Sequence, residues 1–341
     1  MRRFLVTLLL GLAALLALPP LWFALFPPQR PELPTPAHFA TLASGARMHY
    51  VERGEGPVVV LVHGLPGQAS EWRTITELLA AHGRRVLAID RIGYGHSDAR
   101  ADDDYTLAAN ARELRDFLDA MHVEDVTLVG WSYGGGTTLT LAREDATRDA
   151  DSRVGRIVLI GSVGPSDAAP GPPPVAAAIF SVVTRWARLV PPAGLALQRA
   201  LSASAFSEQP QPEWWLPGLA ANLAQPKTQR AFVREGAALR GVAPPDSADL
   251  ALPILVIHGD DDRLVPIAVG RTLAGNRPGA ELLEVAGGSH MLPITHAQLL
   301  ADRIALFSAP PPAAEPVVLP GAEGNAPIDT PEHWMDALAA R

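Results

Sequence analysis

The chain predicts an α/β fold: a mostly parallel sheet flanked by helices, with a helical cap inserted between its strands and an apolar membrane-anchor helix ahead of it. Three observations carry this. Short runs rich in Val, Ile and Leu recur at residues 58–62, 86–89, 126–129, 157–160 and 254–257, as parallel strands buried on both faces require. Helix-like stretches at about 71–81, 107–121, 133–144 and 293–307 alternate with or follow them, and parallel strands need such crossovers. From about 164 to 252 the alternation stops and prolines crowd together.

Taken in order, the first element is residues 4–26, almost wholly apolar and uncharged after Met1-Arg2-Arg3. A helix of that length spans about 34 Å, enough for a bilayer core. Residues 1–30 are read as an uncleaved signal anchor, with Arg2 and Arg3 holding the short N-terminus in the cytoplasm and the rest on the outer face, periplasmic in a bacterium. The rival is a cleaved signal peptide and a secreted or periplasmic protein, since the run 4–18 has h-region length. No small-x-small site with an acceptable following residue supports cleavage.

Residues 40–163 form the first part of the core, with edge strands expected at 48–52 and, in the second part, at 282–285. The cap, 164–252, holds Pro165, Pro170, Pro191, Pro192, Pro210, Pro212 and Pro217 among others, with apolar helical pieces at 175–190 and 218–223. Trp186, Trp214 and Trp215 bring bulk that needs burial, which argues for a packed lid over a flexible linker. The core resumes at 253–307. Residues 308–341 are too rich in proline and too poor in large apolar side chains to build a core, and read as a flexible tail.

Composition narrows the function. With 341 residues, 48% of them hydrophobic, and no internal repeat, the chain suits a single globular enzyme better than an array. A net charge of −8 and no basic run beyond Arg2-Arg3 leave no footprint for nucleic acid. Small neutral or apolar partners are expected instead. The absence of cysteine excludes disulfides, a thiol nucleophile and thiolate metal sites.

The segment Gly130-Trp131-Ser132-Tyr133-Gly134 lies where the 126–129 strand meets a helix. A G-x-S-x-G there describes a nucleophile elbow, a strained turn whose glycines let strand and helix approach closely. Serine is a weak nucleophile at neutral pH, so Ser132 needs a base, and the base needs an orienting acid. His290 follows the last strand through Ala286-Gly287-Gly288-Ser289 and is placed at the same sheet edge. For the acid, Asp260, Asp261 and Asp262 follow the 253–258 strand; Asp262 is chosen, the others being solvated or capping residues. A calcium site from the three lacks a second acidic cluster, and no metal or cofactor is expected.

The oxyanion needs two donors. The N–H of Tyr133 is one, at a helix N-terminus where the dipole helps. The N–H of Leu65 in His63-Gly64-Leu65-Pro66-Gly67 is the other, since Pro66 has none. His63 is read as bracing this loop. Trp131 beside the nucleophile and Trp214 and Trp215 in the cap are candidates for pocket walls, with ordinary packing as their competing role.

These pieces resemble the α/β-hydrolase superfamily over about residues 48–307: His63-Gly64 after a strand, Asp90-Arg91-Ile92-Gly93-Tyr94-Gly95-His96-Ser97-Asp98, the elbow, the 259–266 loop and Gly288-Ser289-His290. The resemblance implies a Ser132, Asp262, His290 triad under a helical cap, and a structural role for the 93–98 segment. Family members usually have glycine where this chain has Ser289.

Haloalkane dehalogenases and epoxide hydrolases of this fold carry an aspartate at the elbow, so Ser132 points away from both. What remains is acyl transfer to water: hydrolysis of a small, hydrophobic carboxylic ester or related acyl bond. The alternatives are carbon–carbon hydrolysis of a diketone, a cofactor-free perhydrolase or haloperoxidase with the same triad, and a non-catalytic ligand-binding protein. The oligomeric state is left open.

Overall fold

The computed structural model describes residues 36–148, 151–165, 202–207, 209–239 and 245–309, with residues 6–7, 11–14, 25, 33 and 199 besides. The expected anchor and tail, and the cap piece at 175–190, lie almost wholly outside the described residues. Among the described residues, no helix is long and apolar enough to cross a membrane.

The chain runs β1 (His38–Thr41), β2 (Arg47–Arg53), β3 (Val58–Val62), a 3-10 turn (Ala69–Trp72), α1 (Arg73–Ala81), β4 (Arg85–Ile89), α2 (Leu107–Ala120), β5 (Val126–Trp131), α3 (Tyr133–Asp145) and β6 (Val154–Ile160). The described cap contributes α4 (Trp215–Ala224) and α5 (Pro226–Ala238). Then come β7 (Ile254–Gly259), α6 (Ile267–Gly275), β8 (Glu281–Val285), α7 (Leu292–Thr295) and α8 (Ala297–Phe307). These elements lie in one compact unit, Met1–Ala309.

One eight-stranded sheet has the order β1-β2-β4-β3-β5-β6-β7-β8. From β4 through β8 every pairing is parallel, and β2 runs antiparallel to both β1 and β4. Successive residues explain why the strands read as unbroken apolar runs. Val60, Val62, Leu128, Leu159 and Val256 join one core cluster, packed with α2, α3 and α6. Their neighbours Val59, Leu61, Val129, Val158 and Leu255 join the cluster on the opposite face, with α1 and α8. Each such side chain contributes about 1.5–3 kcal/mol, and an alternating polar residue would forfeit that on one face.

Two expectations need correction. The 48–52 run is not an edge strand, because β1 lies outside it, with His38 paired to Tyr50. Only four residues long and partly exposed, β1 has no apolar run to reveal it. The helix expected over 293–307 is interrupted at His296, whose φ of −127° leaves helical geometry between α7 and α8.

Candidate active site

Ser132 stands between β5 and α3 with φ 55° and ψ −119°. A non-glycine residue in so sparsely populated a region costs about 1–3 kcal/mol, and neighbouring hydrogen bonds hold it there. Its N–H donates to Ile160 O at 2.9 Å, and its carbonyl accepts from Gly135 at 3.0 Å and Val163 at 3.2 Å. A Cβ on Gly134 would overlap the carbonyls of Val62 and His63, and one on Gly130 would overlap Gly134 and Gly135. Only glycine at these two positions lets α3 close on β3 and β5.

The turn after β7 separates the three aspartates. Asp260 accepts from Gly287 N at 2.6 Å, and Asp261 pairs with Arg263 at 3.2 Å. Asp262 turns inward: its Oδ1 accepts from the N–H groups of Leu264 at 2.9 Å and Val265 at 2.8 Å, while Oδ2 lies 2.7 Å from His290 Nδ1. Trp131 Nε1 donates to the His290 carbonyl at 2.9 Å, which ties the elbow to the histidine loop. Ser132 and His290 line one cavity, but the Ser132 hydroxyl makes no hydrogen bond to a described residue. Such catalytic contacts commonly tighten only around substrate.

Leu65 lies in the same cavity wall, and a Cβ on Gly64 would come within 3.0 Å of Ser132 Cβ, so the loop carrying Leu65 passes directly over Ser132. The N–H groups of Leu65 and Tyr133 have no acceptor among the described residues. The cavity measures about 240 Å³, room for a small molecule or for one group of a larger one. Trp131 and Trp215 line it with Leu219, Leu223, Phe232 and Met291; Trp214 does not. Its indole instead stacks on the Arg73 guanidinium, 3.7 Å from the ring centroid. Among the described lining residues, the only polar side chains besides Ser132 and His290 are Ser202 and the indole of each tryptophan.

The sequence model of the α/β-hydrolase fold matches residues 57–297. The chain belongs to the α/β-hydrolase fold family. It is accordingly a hydrolase. It is 31% identical over 287 residues to a 2-hydroxymuconate semialdehyde hydrolase of Pseudomonas sp. (strain CF600), covering 80% of this chain and 94% of that one. It is 31% identical over 270 residues to a non-heme chloroperoxidase of Kitasatospora aureofaciens, covering 73% and 90%. A bromoperoxidase structure from Bacillus anthracis superposes with a TM-score of 0.67 at 25% identity, covering 80% of this hydrolase and 99% of that chain.

Electrostatics in this hydrolase follow from burial and hydrogen bonds. Burial alone would raise the Asp262 carboxyl, but hydrogen bonds from His258, His290 and Val265 outweigh it and hold the group well below its ordinary value. His63 is pushed down to about 3, first by burial and then by the Arg91 charge, so it stays neutral. Its Nε2 accepts from Arg91 N at 3.0 Å, which leaves Nδ1–H to donate to Gly64 O at 2.8 Å. That is the bracing role expected for it. Asp90 binds the N–H groups of Ala69 at 2.6 Å and His96 at 2.8 Å, and Ser97 donates to the Asp90 carbonyl at 2.5 Å. The 93–98 segment is thus a bonded turn behind the site.

Two residues at the site, Gly161 and His258, escaped sequence reasoning. Gly161, directly after β6, has φ +47°, and a Cβ there would sit 3.1 Å from Asp262 Oδ2 and 3.4 Å from His290 Nδ1. Its place at a strand's carboxyl end was the available signal. His258, buried in β7, donates through Nε2 to Val265 O at 2.9 Å and lies 3.5 Å from Asp262 Oδ2, fixing the turn that aims the carboxylate. Ser289, where the family usually has glycine, is fully buried and hydrogen-bonded to Gln209 Oε1 of the cap at 3.1 Å.

Proposed function

We propose that this hydrolase cleaves a carboxylic ester of a small, neutral, apolar acid through an acyl-enzyme. The observation that carries the proposal is a strained Ser132 sharing the wall of one apolar cavity with the His290–Asp262 pair. Ser132 Oγ attacks the carbonyl carbon while His290 Nε2 takes its proton, and Asp262 stabilises the imidazolium. The oxyanion is held by the N–H groups of Leu65 and Tyr133, each such donor contributing about 3–4 kcal/mol of barrier lowering. His290 then protonates the leaving alcohol. Water, deprotonated by His290, attacks the acyl-enzyme and releases the acid with Ser132 restored.

A fluorophosphonate tests this. One adduct on Ser132 is expected, absent in Ser132→Ala, whose ester turnover should fall by about 10⁴–10⁶. Folded protein that takes no label would favour the ligand-binding reading.

Carbon–carbon hydrolysis is the second reading, favoured by the similarity to the 2-hydroxymuconate semialdehyde hydrolase. It is opposed by the lack of a cationic side chain among the described lining residues, since a muconate carries a carboxylate that would need one. Consumption of 2-hydroxymuconate semialdehyde faster than of any p-nitrophenyl ester would reverse the preference. Halide-dependent oxidation by hydrogen peroxide that outpaces ester cleavage would install the haloperoxidase reading instead. For localisation, residues 1–30 are proposed as a retained anchor with the hydrolase on the outer face. Mature protein that begins after residue 26 in a soluble fraction would refute it.

A further inference from the structure

Arg91, two residues after β4, is 2% exposed, and Glu235 of α5 is fully buried. All five N–H donors of the guanidinium are used. Two go to Glu235, at 2.7 and 3.1 Å, and one to Asn110 Oδ1 at 2.9 Å. The remaining two go to the oxyanion loop: Nε to the carbonyl of His63 at 3.2 Å and Nη2 to that of Gly64 at 3.1 Å. Tyr94 adds a hydrogen bond to Glu235 at 2.7 Å. The carbonyl of Gly64 belongs to the same peptide unit as the N–H of Leu65, so a donor that fixes one fixes the direction of the other. At the far end of the loop, Asn222 of α4 donates to Gly67 O at 2.9 Å. The loop is therefore gripped by the cap, and Glu235 reaches it through a charge that has left water.

We propose that Glu235 is a positioning residue for hydrolysis, acting through Arg91 to hold the Gly64–Leu65 peptide so that its N–H faces the developing oxyanion. Its catalytic consequence rests on the serine-hydrolase reading above. Glu235 touches no reacting atom; it fixes the fork that fixes the peptide. A buried arginine deprived of its carboxylate seeks other partners; the His63 carbonyl then loses the Nε donor, and the Gly64 carbonyl loses one of its two donors and keeps His63 Nδ1–H.

The test compares the full-length protein with Glu235→Gln and with the double variant Arg91→Met/Glu235→Met, which replaces the buried pair with apolar bulk. In Glu235→Gln, amide exchange over residues 63–67 should quicken by about tenfold while the rest of β3 is unchanged. With a p-nitrophenyl ester, kcat should fall by about 10–100-fold and KM by or to within about threefold. Affinity for an alkyl boronic acid, a tetrahedral mimic, should weaken in step with kcat, with one fluorophosphonate adduct per chain retained. The double variant should recover thermal stability, as apolar replacements of buried pairs commonly do, and keep the low kcat. Unchanged exchange at 63–67 in Glu235→Gln, or a double variant that regains kcat along with stability, would overturn the proposal. Should Glu235→Gln fail to fold, the double variant decides. Should wild-type Ser132 take no label, the serine-hydrolase reading fails, and the exchange comparison still decides whether Glu235 holds the loop.

Discussion

Asp262 is an anion because of what surrounds it: a side chain so nearly buried would otherwise favour its neutral form. Its depressed value means that the charge stabilises the fold above the ordinary carboxylate range, and that this stabilisation is lost as pH falls below about 4. In Asp262→Asn the amide can hold His290 only in the wrong tautomer, so kcat should drop by about 10⁴ at pH 8. Its stability deficit, measured by urea unfolding, should be largest near neutrality and shrink below about pH 4. Gly161 yields a second prediction. Alanine there must adopt φ +47° and press within 3.1 Å of the Asp262 carboxylate, so on the proposed mechanism Gly161→Ala should lower kcat by about 10–100-fold and leave KM within about threefold, because only the alignment of Asp262 and His290 changes. An equal effect on both constants would locate the disturbance in the pocket. Ser132 and His290 were legible because each sits in a glycine-rich context after an apolar run. Spacing hardly separates Asp262 from Asp260 and Asp261; the turn made by Leu264, Val265 and His258 does. Glu235 carries no local signal, since its partners are remote in the chain, and Gly161 offered only its place at a strand's carboxyl end.

At the scale of the element, legibility tracked apolar content. The run at 58–62 coincides with β3, because a strand buried on both faces has no freedom to vary its pattern. Helix α5 was not anticipated: its buried stripe is Thr228, Ala231 and Glu235, spaced at the helical period but not apolar. Helix α6 carries Gly270 in its middle because a Cβ there would meet the buried His258 ring. The turn after β4 supplies a prediction. Burial would raise Asp90, but the hydrogen bonds from His49, Ala69 and His96 win and bring it down to about 2. A depressed carboxyl stabilises the fold above its unfolded value near 3.8 and loses that contribution as pH falls through about 2. The shift corresponds to about 2 kcal/mol. Asp90→Asn should therefore be destabilised by about that much or more across pH 5–8, with the gap to wild type narrowing from pH 4 to 2. A gap independent of pH would mean that shape, not charge, holds the turn.

Over the whole molecule, the cap grips the loops on either side of the Ser132 elbow, those that carry Leu65, Asp262 and His290. Ser207 donates to Asp261 O at 2.5 Å, Gln209 binds both Ser289 and Gly287 O, Asn222 holds Gly67, and Glu235 holds Arg91. Cap and sheet thus both line the apolar cavity, and on the ester reading proposed above its described walls would select against what they cannot solvate. A carboxylate entering it gives up hydration without gaining a cation among the described walls, a cost of at least several kcal/mol. Since about 1.4 kcal/mol is tenfold, p-nitrophenyl butyrate should exceed the near-isosteric p-nitrophenyl hemisuccinate in kcat/KM by at least about 100-fold. For the butyrate, kcat/KM should also be flat in ionic strength, because a neutral ester meeting uncharged walls is not steered by field. The two esters match closely in length, so a difference between them reports charge and not fit. Equal rates, or a hemisuccinate rate that falls steeply with salt, would require a cation facing the cavity and would return the carboxylate-bearing diketones to first place.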